Sequence, residues 1–399
     1  MAKILRNICP NGRPARRFGS AIVLSDVSPD DIRRAVLERE DVAKYLDAQA
    51  SMPDARERIE GFLEELRTTQ RYRFYRALQH PLYPILRKVR RIAENVEHAR
   101  RGVSTGRVVY VSNHKSHLDY LVEPLVLDDN GIRPPLLAAG INLFGGALGL
   151  LHKHVTGAVP IRRNSKDPLY LVTLRAYIAE LLKERDLLYY AEGGRSYTGD
   201  FKTPKTGLLQ AALAADRDEL SIVPMAVAYD LVLEDRILPR EAARKRKRPF
   251  AQEVAEMVRH AVGYESRAFV TFGPAIPLVN FDPESRRDLV TLAHRVHDEV
   301  GRLHKVLPTA LVASVMRPRM AHTELVARLD ERIGTLAAAG ANLAVKNGRQ
   351  AADEGVTLLA ERDVLVAERT VVRVRDRVVL RYYARSIEHL LSRPKRTTH

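Results

Sequence analysis

Short apolar runs alternate with longer segments of helical periodicity through the middle of the chain, from about residue 105 to residue 276. Residues 167–185 are typical of the helical segments, because Asp167 suits an N-cap and Pro168 suits the first helical position. The apolar runs, which predict strands, are RVVYVSN (107–113), PLLAAG (135–140), AVPIRR (158–163), DLLYYAEGG (186–194), SIVPMAVAYD (221–230) and AFVTFGPAI (268–276). This alternation predicts an α/β domain with a mixed sheet flanked by helices and with ligands at strand ends.

Helical periodicity also dominates on both sides of this domain. Residues 29–99 are predicted to be helical, starting after Ser28 as an N-cap. Near the other end, TVVRVRDRVVL (370–380) predicts a strand pair or one long strand, and RYYARSIEHLL (381–391) predicts a closing helix. We therefore divide the chain into a basic, disordered leader (1–25), a helical N-terminal module (26–100), the α/β domain (101–310) and a mostly helical C-terminal module (311–399).

The composition favours an anionic partner in a reducing compartment. The 65 lysines and arginines outnumber the 49 acidic residues, which gives the 399-residue chain a formal net charge of +16. This charge suits a phosphate ester, anionic lipid, nucleic acid or acidic carrier protein. Cys9 is the only cysteine, so a disulfide framework, a cysteine-rich zinc site and a catalytic thiol are all disfavoured, and we predict no metal site. We find no secretory signal pattern.

Two segments have more than one interpretation. The apolar stretch 134–151 approaches the length of a membrane-spanning helix, but its glycines argue against a stiff span. It is either a buried strand and loop or a segment that contacts the bilayer surface. The basic run PREAARKRKRP (239–249) is predicted to be a solvated loop.

The candidate chemistry begins where the first strand of the domain ends, in VVYVSNHKSHLDY (108–120). His114 and Asp119 are five residues apart and would not share one face of a regular helix. They can meet if His114 lies on a strand-to-helix turn and Asp119 on the first helical turn. The carboxylate would then hold Nδ1–H and leave Nε2 as a general base. Backbone amides after His114 could stabilise an oxyanion.

Basic residues follow the other strands of the domain. GAVPIRR (157–163) ends on Arg162 and Arg163, YYAEGGRSYTGD (189–200) contains Arg195, and TPKTG (203–207) contains Lys205. The glycines in these segments allow close backbone approach to a ligand. Together the fixed cations predict a phosphate-binding site.

In this order, NHKSHLDY, GAVPIRR, EGGRSYTG, PKTG and IVPMAVAYD resemble the four conserved blocks of the glycerol-3-phosphate and dihydroxyacetone-phosphate acyltransferases. The resemblance extends over about residues 60–399 and implies the glycerolipid acyltransferase fold. It implies His114 as general base and Asp119 as the residue that orients the imidazole. By the same resemblance, the acceptor phosphate would be bound by Arg162 or Arg163, Arg195, Ser196 and Lys205, and the site would be shaped by Glu192, Gly193, Gly194 and Pro224.

The resemblance implies transfer of an acyl group from a thioester to the 1-hydroxyl of sn-glycerol 3-phosphate, which gives lysophosphatidate. Residues 192–196 read Glu-Gly-Gly-Arg-Ser, whereas the related lysophosphatidate acyltransferases usually carry Glu-Gly-Thr-Arg, and this difference favours glycerol 3-phosphate. Dihydroxyacetone phosphate and lysophosphatidate stay open as acceptors. Acyl-coenzyme A or acyl carrier protein would be the co-substrate, with no cofactor. We expect a peripheral protein on an anionic, cytoplasmic membrane face, in a bacterial cell membrane.

A nucleic-acid-binding protein is the alternative from another class. The net charge and a winged-helix-like C-terminal module would suit it. It leaves the ordered blocks unexplained, so no nucleic acid partner is expected.

Further expectations concern single residues. Successive strand residues point to opposite faces, so we expect Arg162 to face the pocket and Arg163 to pair with a carboxylate. His117 is interpreted as structural or solvent-facing. Pro160, where the resembled family commonly has an aromatic residue, should lie at a strand edge or a bulge. A titrating imidazole predicts that activity falls as the pH drops through roughly 6.5, shifted by Asp119.

Overall fold

The computed structural model describes residues 28–48, 54–71, 88–141, 156–244 and 265–391. Its helices are α1 (Pro29–Leu37), α2 (Glu40–Ala48), α3 (Ala55–Leu66), α4 (Val96–Thr105), α5 (Asp119–Asp129), α6 (Pro168–Leu181), α7 (Gly207–Leu213), α8 (Leu238–Arg244), α9 (Arg286–Leu303), α10 (Pro308–Val315), α11 (His322–Ala338), α12 (Gly348–Glu361), α13 (Arg377–Arg385) and α14 (Glu388–Leu391). Its strands are β1 (Val89–Glu94), β2 (Arg107–Ser112), β3 (Leu136–Gly140), β4 (Ala158–Ile161), β5 (Leu187–Tyr190), β6 (Leu220–Tyr229), β7 (Ser266–Phe272), β8 (Ile276–Pro277), β9 (Arg319–Ala321), β10 (Leu365–Glu368) and β11 (Val371–Val374).

Strands β1 to β8 form one mixed sheet in the order β1-β7-β6-β2-β5-β3-β4, with β8 paired to β6. Strands β6, β2, β5, β3 and β4 are parallel to one another. Strand β7 runs antiparallel to β6, and β1 runs parallel to β7. The carboxyl ends of the parallel strands therefore meet at one edge, where sheets of this kind bind ligands. The predicted fold class, a mixed sheet flanked by helices, is confirmed.

The sheet separates two apolar clusters, and β2 contributes to both. Val108 and Tyr110 lie in the cluster that includes residues of α4 and α5, whereas Val109 and Val111 lie in the cluster that includes residues of α3 and α6. This alternation follows from the two-residue period of a strand. Because β2 is buried on both faces, its sequence is a continuous apolar run rather than an alternating one. Packing on both faces thus fixes the position of β2 and of the turn that follows it.

The prediction of helix over residues 29–99 is confirmed for α1, α2 and α3 and is wrong for Val89–Glu94, which forms β1. This segment pairs in parallel with β7 from Val89 opposite Ser266 to Glu94 opposite Thr271. Pairing with the sheet overrides the local helical pattern, and the α/β domain begins before residue 101. Residues 72–87 lie outside the described residues, as do the predicted leader 1–25 and the part of the apolar stretch after Ile141.

The region after residue 307 packs helices α10 to α14 with a three-stranded antiparallel sheet of order β10-β11-β9. Helix α10, strand β9, helices α11 and α12 and the hairpin β10–β11 follow one another along the chain. The run predicted as a strand pair divides at Asp376. Its first half is β11, and its second half begins α13, because the Asp376 carboxylate accepts hydrogen bonds from the amides of Val378 and Val379.

Two smaller predictions have mixed outcomes. Residues 239–244 of the basic run belong to helix α8, so the predicted loop is wrong there, and residues 245–249 lie outside the described residues. Pro160 lies in β4, at the end of the strand order, so its predicted edge position is confirmed. Within the described ranges, no helix is long and apolar enough to cross a bilayer.

Candidate functional site

His114 and Asp119 meet on the turn between β2 and α5. Strand β2 ends at Ser112 and α5 begins at Asp119, and the Nδ1 atom of His114 lies 2.8 Å from the Oδ2 atom of Asp119. Asn113 anchors the start of this turn to β6, since its side chain exchanges hydrogen bonds of 2.9 and 2.8 Å with the backbone of Val227. The turn geometry is therefore the one that the sequence predicted.

Both oxygens of the Asp119 carboxylate are occupied. Oδ2 also accepts hydrogen bonds from the amides of Lys115 at 2.6 Å and Ser116 at 2.9 Å. Oδ1 accepts from the hydroxyl of Tyr229 on β6 at 2.7 Å. The carboxylate is 0% exposed, and these donors hold it in a single orientation towards the imidazole.

The predicted role of the amides after His114 in oxyanion binding is wrong for the turn residues. The amides of Lys115 and Ser116 donate to Asp119, and the amide of His117 donates to Glu234 at 2.7 Å. The amide of Leu118 donates to the Ser116 hydroxyl at 3.0 Å. These donors hold the turn itself. The His117 residue is buried, in agreement with a structural role.

The His114 imidazole is nearly buried, with 11% of its side chain exposed. Its ring stacks on Tyr190 with the ring centres 4.0 Å apart and an interplanar angle of 9°. Burial lowers the pKa of His114 to about 4, against the opposing effect of Asp119, which raises it. The expected transition near pH 6.5 therefore does not fit this environment, and the imidazole is neutral, as a general base requires.

A second carboxyl group, that of Glu123, lies on α5 one turn beyond Asp119. It is 0% exposed and accepts a hydrogen bond of 2.5 Å from the hydroxyl of Ser112. Burial raises the pKa of Glu123 well above its usual range, and the charge of Asp119 raises it further. Both effects favour the neutral form of the Glu123 carboxyl group over its charged form.

The segment after β5 packs directly against the His114 turn. The amide of Ser196 donates a hydrogen bond of 2.8 Å to the carbonyl oxygen of His114, and its hydroxyl donates to the carbonyl oxygen of Asp200 at 2.6 Å. Gly193 has a φ of +68°, in the region that glycine adopts without strain. Burial raises the pKa of Glu192 to about 7, although the charges of Lys115 and Lys202 lower it.

The two arginines after β4 have opposite surroundings, and the expected assignment of their faces is wrong. Arg162 pairs with Glu65 of α3 through bonds of 2.7 and 2.5 Å. Arg163 lies beside Gly194, at 3.5 Å from the position that a β-carbon would occupy there. Burial and the charge of Arg195 lower the pKa of Arg163. The cations brought together are therefore Arg163 and Arg195.

The remaining predicted residues lie on the same side of the sheet or within it. The Lys205 amide donates to the Ala191 carbonyl oxygen at 2.8 Å, and its side chain packs against Gly193. Pro224 lies in β6 opposite the break between β7 and β8, where its carbonyl oxygen accepts from the amide of Gly273 at 2.7 Å. Since proline has no amide hydrogen, this break lets it occupy an inner strand.

Sequence reasoning missed two residues that contribute to the site. Glu234 follows β6 and binds the His114 turn through Ser116 and His117. No spacing rule connects Glu234 to that turn, 118 residues away along the chain. Lys115 is buried, and its Nζ atom donates to the carbonyl oxygen of Gly199 at 2.7 Å.

A protein-family model described as Acyltransferase matches residues 90–228, which include the His114 turn and all strands from β2 to β5. Residues 90–228 therefore carry an acyltransferase domain, and the similar proteins support a relation to the glycerol-3-phosphate acyltransferases. One such enzyme, from Aeromonas hydrophila subsp. hydrophila, is 35% identical over 243 residues, which cover 58% of this chain and 30% of the relative. Another, from Shewanella amazonensis, is 28% identical over 323 residues, which cover 72% of this chain and 40% of the relative.

The chain spans between 26% and 40% of the length of the glycerol-3-phosphate acyltransferases that it matches. Among solved structures, the 1-acyl-sn-glycerophosphate acyltransferase PlsC from Thermotoga maritima is similar at 16% identity and a TM-score of 0.33. That match covers 53% of this chain and 71% of the other.

Proposed function

We propose that this protein transfers an acyl group from an acyl thioester to the 1-hydroxyl of sn-glycerol 3-phosphate and so produces lysophosphatidate. The observation that carries the proposal is the contact of His114 Nδ1 with Asp119, at a strand end next to the segment that holds Arg195. The similarity to glycerol-3-phosphate acyltransferases supports the choice of acceptor. So does the Glu-Gly-Gly-Arg-Ser sequence at 192–196.

The reaction needs one proton acceptor and no covalent enzyme intermediate. Nε2 of His114 removes the proton of the acceptor hydroxyl while that oxygen attacks the thioester carbonyl carbon. The tetrahedral intermediate then expels the thiolate, which takes the proton back from the imidazolium. Asp119 stabilises the imidazolium during this interval, because its carboxylate faces Nδ1 at 2.8 Å.

The acceptor phosphate is bound by guanidinium groups in this scheme. Arg163 and Arg195 supply charged donors, and Lys205 adds a third cation from the neighbouring loop. Because both arginines come from loops after parallel strands, the phosphate would lie at the same sheet edge as His114. Arg162, which pairs with Glu65, has no part in acceptor binding.

The acyl donor in this proposal is acyl-coenzyme A or acyl carrier protein, and the reaction takes place at the cytoplasmic face of a bacterial membrane. Both donors are acidic, and the net charge of +16 suits either of them as well as an anionic lipid surface. Attachment would be peripheral.

A thiol-release assay with palmitoyl-coenzyme A tests the proposal. Glycerol 3-phosphate, dihydroxyacetone phosphate and lysophosphatidate are compared as acceptors, with a reaction lacking acceptor as baseline. We expect release that depends on glycerol 3-phosphate and is lost in His114→Ala but kept in His294→Ala, which removes an exposed histidine of α9. Faster release with either other acceptor would reassign the substrate, and full activity of His114→Ala would exclude His114 as the base.

A further inference from the structure

The turn between His114 and Asp119 is held by a second carboxylate, that of Glu234, which lies beyond the end of β6. Its Oε2 atom accepts a hydrogen bond of 2.6 Å from the Ser116 hydroxyl, and its Oε1 atom accepts one of 2.7 Å from the His117 amide. Ser116 is thus bound on both sides, because its own amide donates to Asp119. The residue is 2% exposed, so these bonds compete little with water.

The same carboxylate also faces the candidate phosphate site. The Nη1 atom of Arg195 lies 3.8 Å from Oε1 of Glu234, and both side chains are buried. A single carboxylate therefore contacts the turn that carries the proposed base and an arginine that is proposed to bind the acceptor. Removing it would loosen the turn and would also remove a negative charge from beside Arg195.

Glu234 is itself held in place by the C-terminal module through its neighbour Asp235. The Asp235 carboxylate accepts hydrogen bonds from the hydroxyl of Tyr383 on α13 at 2.8 Å and from the guanidinium of Arg362 at 2.5 Å. The Tyr383 hydroxyl in turn accepts a bond of 3.0 Å from the amide of Val232. The loop that presents Glu234 is thus fixed from the module that follows residue 307.

We propose that Glu234 is a positioning residue of the acyltransferase, through which the C-terminal module holds the His114 turn in its reactive geometry. Glu234 acts through Ser116 and His117 and does not touch the substrate. This inference rests on the proposed function for its kinetic consequence. Its structural consequence, a fixed contact between His114 and Asp119, stands without it.

The kinetic test uses Glu234→Gln and Ser116→Ala, singly and combined. Glutamine keeps the size of the side chain but cannot accept both hydrogen bonds, so we expect kcat to fall by roughly 10-fold to 100-fold. KM for glycerol 3-phosphate should stay the same or fall, because the charge opposing Arg195 is lost. The two substitutions remove the same bond, so the loss in the double variant should be smaller than the product of the single losses.

A merely structural role would give a different pattern. The proposal would be overturned if kcat were unchanged, or if the kcat decreases of the two single variants multiplied in the double variant. It would also be overturned if the decrease in kcat disappeared after correction for the folded fraction. Tyr383→Phe serves as the partner experiment, because it removes the hydroxyl bound to Asp235 and leaves Glu234 in the chain. We expect Tyr383→Phe to lower kcat less than Glu234→Gln does. An unchanged kcat, or a decrease explained by the folded fraction alone, would count against the role of the C-terminal module.

A spectroscopic readout separates this proposal from the proposed function. The proton between His114 Nδ1 and Asp119 should give a downfield proton resonance in the NMR spectrum of the full chain, with no substrate present. We expect this resonance to broaden or shift in Glu234→Gln and to be absent in His114→Ala. If the wild type transfers no acyl group to glycerol 3-phosphate but this change is seen, only the proposed acceptor fails. An unchanged resonance overturns the positioning role.

Discussion

The hydroxyl of Tyr229 lies 2.7 Å from the Oδ1 atom of Asp119 and links the last residue of β6 to the first residue of α5. Strand β6 is the neighbour of β2 in the sheet, so the hydrogen bond closes the site across two adjacent strand ends. Oδ2 of the same carboxylate faces His114. The orientation of the proposed base thus depends on the packing of the sheet as well as on its own turn.

Replacing Tyr229 with phenylalanine removes this hydrogen bond and keeps the ring. Asp119 would keep its contact with His114 but would lose the donor to its other oxygen, which is buried. A hydrogen bond to a charged group contributes about 1.5–3 kcal/mol, so we expect kcat to fall by roughly tenfold or more. Kinetics at saturating acceptor, with the melting temperature as a control for folding, measures this effect. An unchanged kcat would mean that Oδ1 has no influence on the base.

The neighbouring residues Arg162 and Arg163 form a matched pair for testing the acceptor site. Arg163→Ala should raise KM for glycerol 3-phosphate by at least tenfold, because it removes a charged donor from the proposed phosphate site. Arg162→Ala should leave that KM unchanged and should lower the free energy of unfolding by about 1 kcal/mol or less, since its pair with Glu65 is partly exposed. Acceptor titrations and thermal unfolding of both variants distinguish these roles. A raised KM in Arg162→Ala together with an unchanged KM in Arg163→Ala would contradict the placement of Arg163 at the phosphate site.

Docking of the C-terminal module is tested at Gly199. Its φ is +92°, and a β-carbon there would lie 2.0 Å from the carbonyl oxygen of Tyr382. Gly199→Ala should therefore lower the free energy of unfolding by about 2–4 kcal/mol, from left-handed strain and overpacking together. Gly131→Ala is the control, because Gly131 has a φ of +75° with no atom near the added methyl group, and we expect a loss of about 1 kcal/mol. Urea unfolding measures both variants. If the free energy of unfolding decreased equally in Gly199→Ala and Gly131→Ala, the close approach of Tyr382 to Gly199 would not limit the space for a side chain there.

The sequence was sufficient to predict what depends on local pattern. The strands β2, β4 and β5 are short apolar runs, so the ends that present His114, Arg163 and Glu192 could be located from the chain alone. The orientation of the side chains at these strand ends could not be predicted in the same way. Which of two successive arginines faces the pocket depends on how β4 twists at the sheet edge and on the presence of Glu65 in α3, and neither appears in the local sequence.

Long-range contacts account for the other differences. The segment 89–94 contains charged residues in a helical context, and it becomes a strand only because β7 offers a parallel partner. Glu234 has no motif of its own, and its role arises from the meeting of two loops at the carboxyl edge of the sheet. The pKa of His114 was expected to follow Asp119, but burial, which depends on the whole fold, has the larger effect.

The pH dependence of activity follows from this burial. The pKa of His114 is lowered to about 4, so the imidazole is neutral in the folded protein above that pH. We therefore expect kcat/KM to lack an inflection from this group near pH 6.5 and to decline only towards pH 4. Burial raises the pKa of Glu192 to about 7, and the same profile in Glu192→Gln separates an inflection due to that carboxyl from one due to the imidazole. An inflection near pH 6.5 that persists in Glu192→Gln and matches the NMR titration of His114 would contradict the burial effect.

Stability should depend on pH in the corresponding direction. An unfolded chain binds a proton at His114 below roughly pH 6.5, whereas the folded chain does so only below about pH 4. Between these values the unfolded state binds more protons at this residue, so the free energy of unfolding falls as the pH falls. In His114→Gln this contribution is absent, and the stability of the variant should decrease less between pH 6.5 and pH 4 than that of the wild type. Urea unfolding at a series of pH values measures this difference. If the free energy of unfolding changed equally with pH in the two proteins, His114 would not be held in its neutral form by the fold.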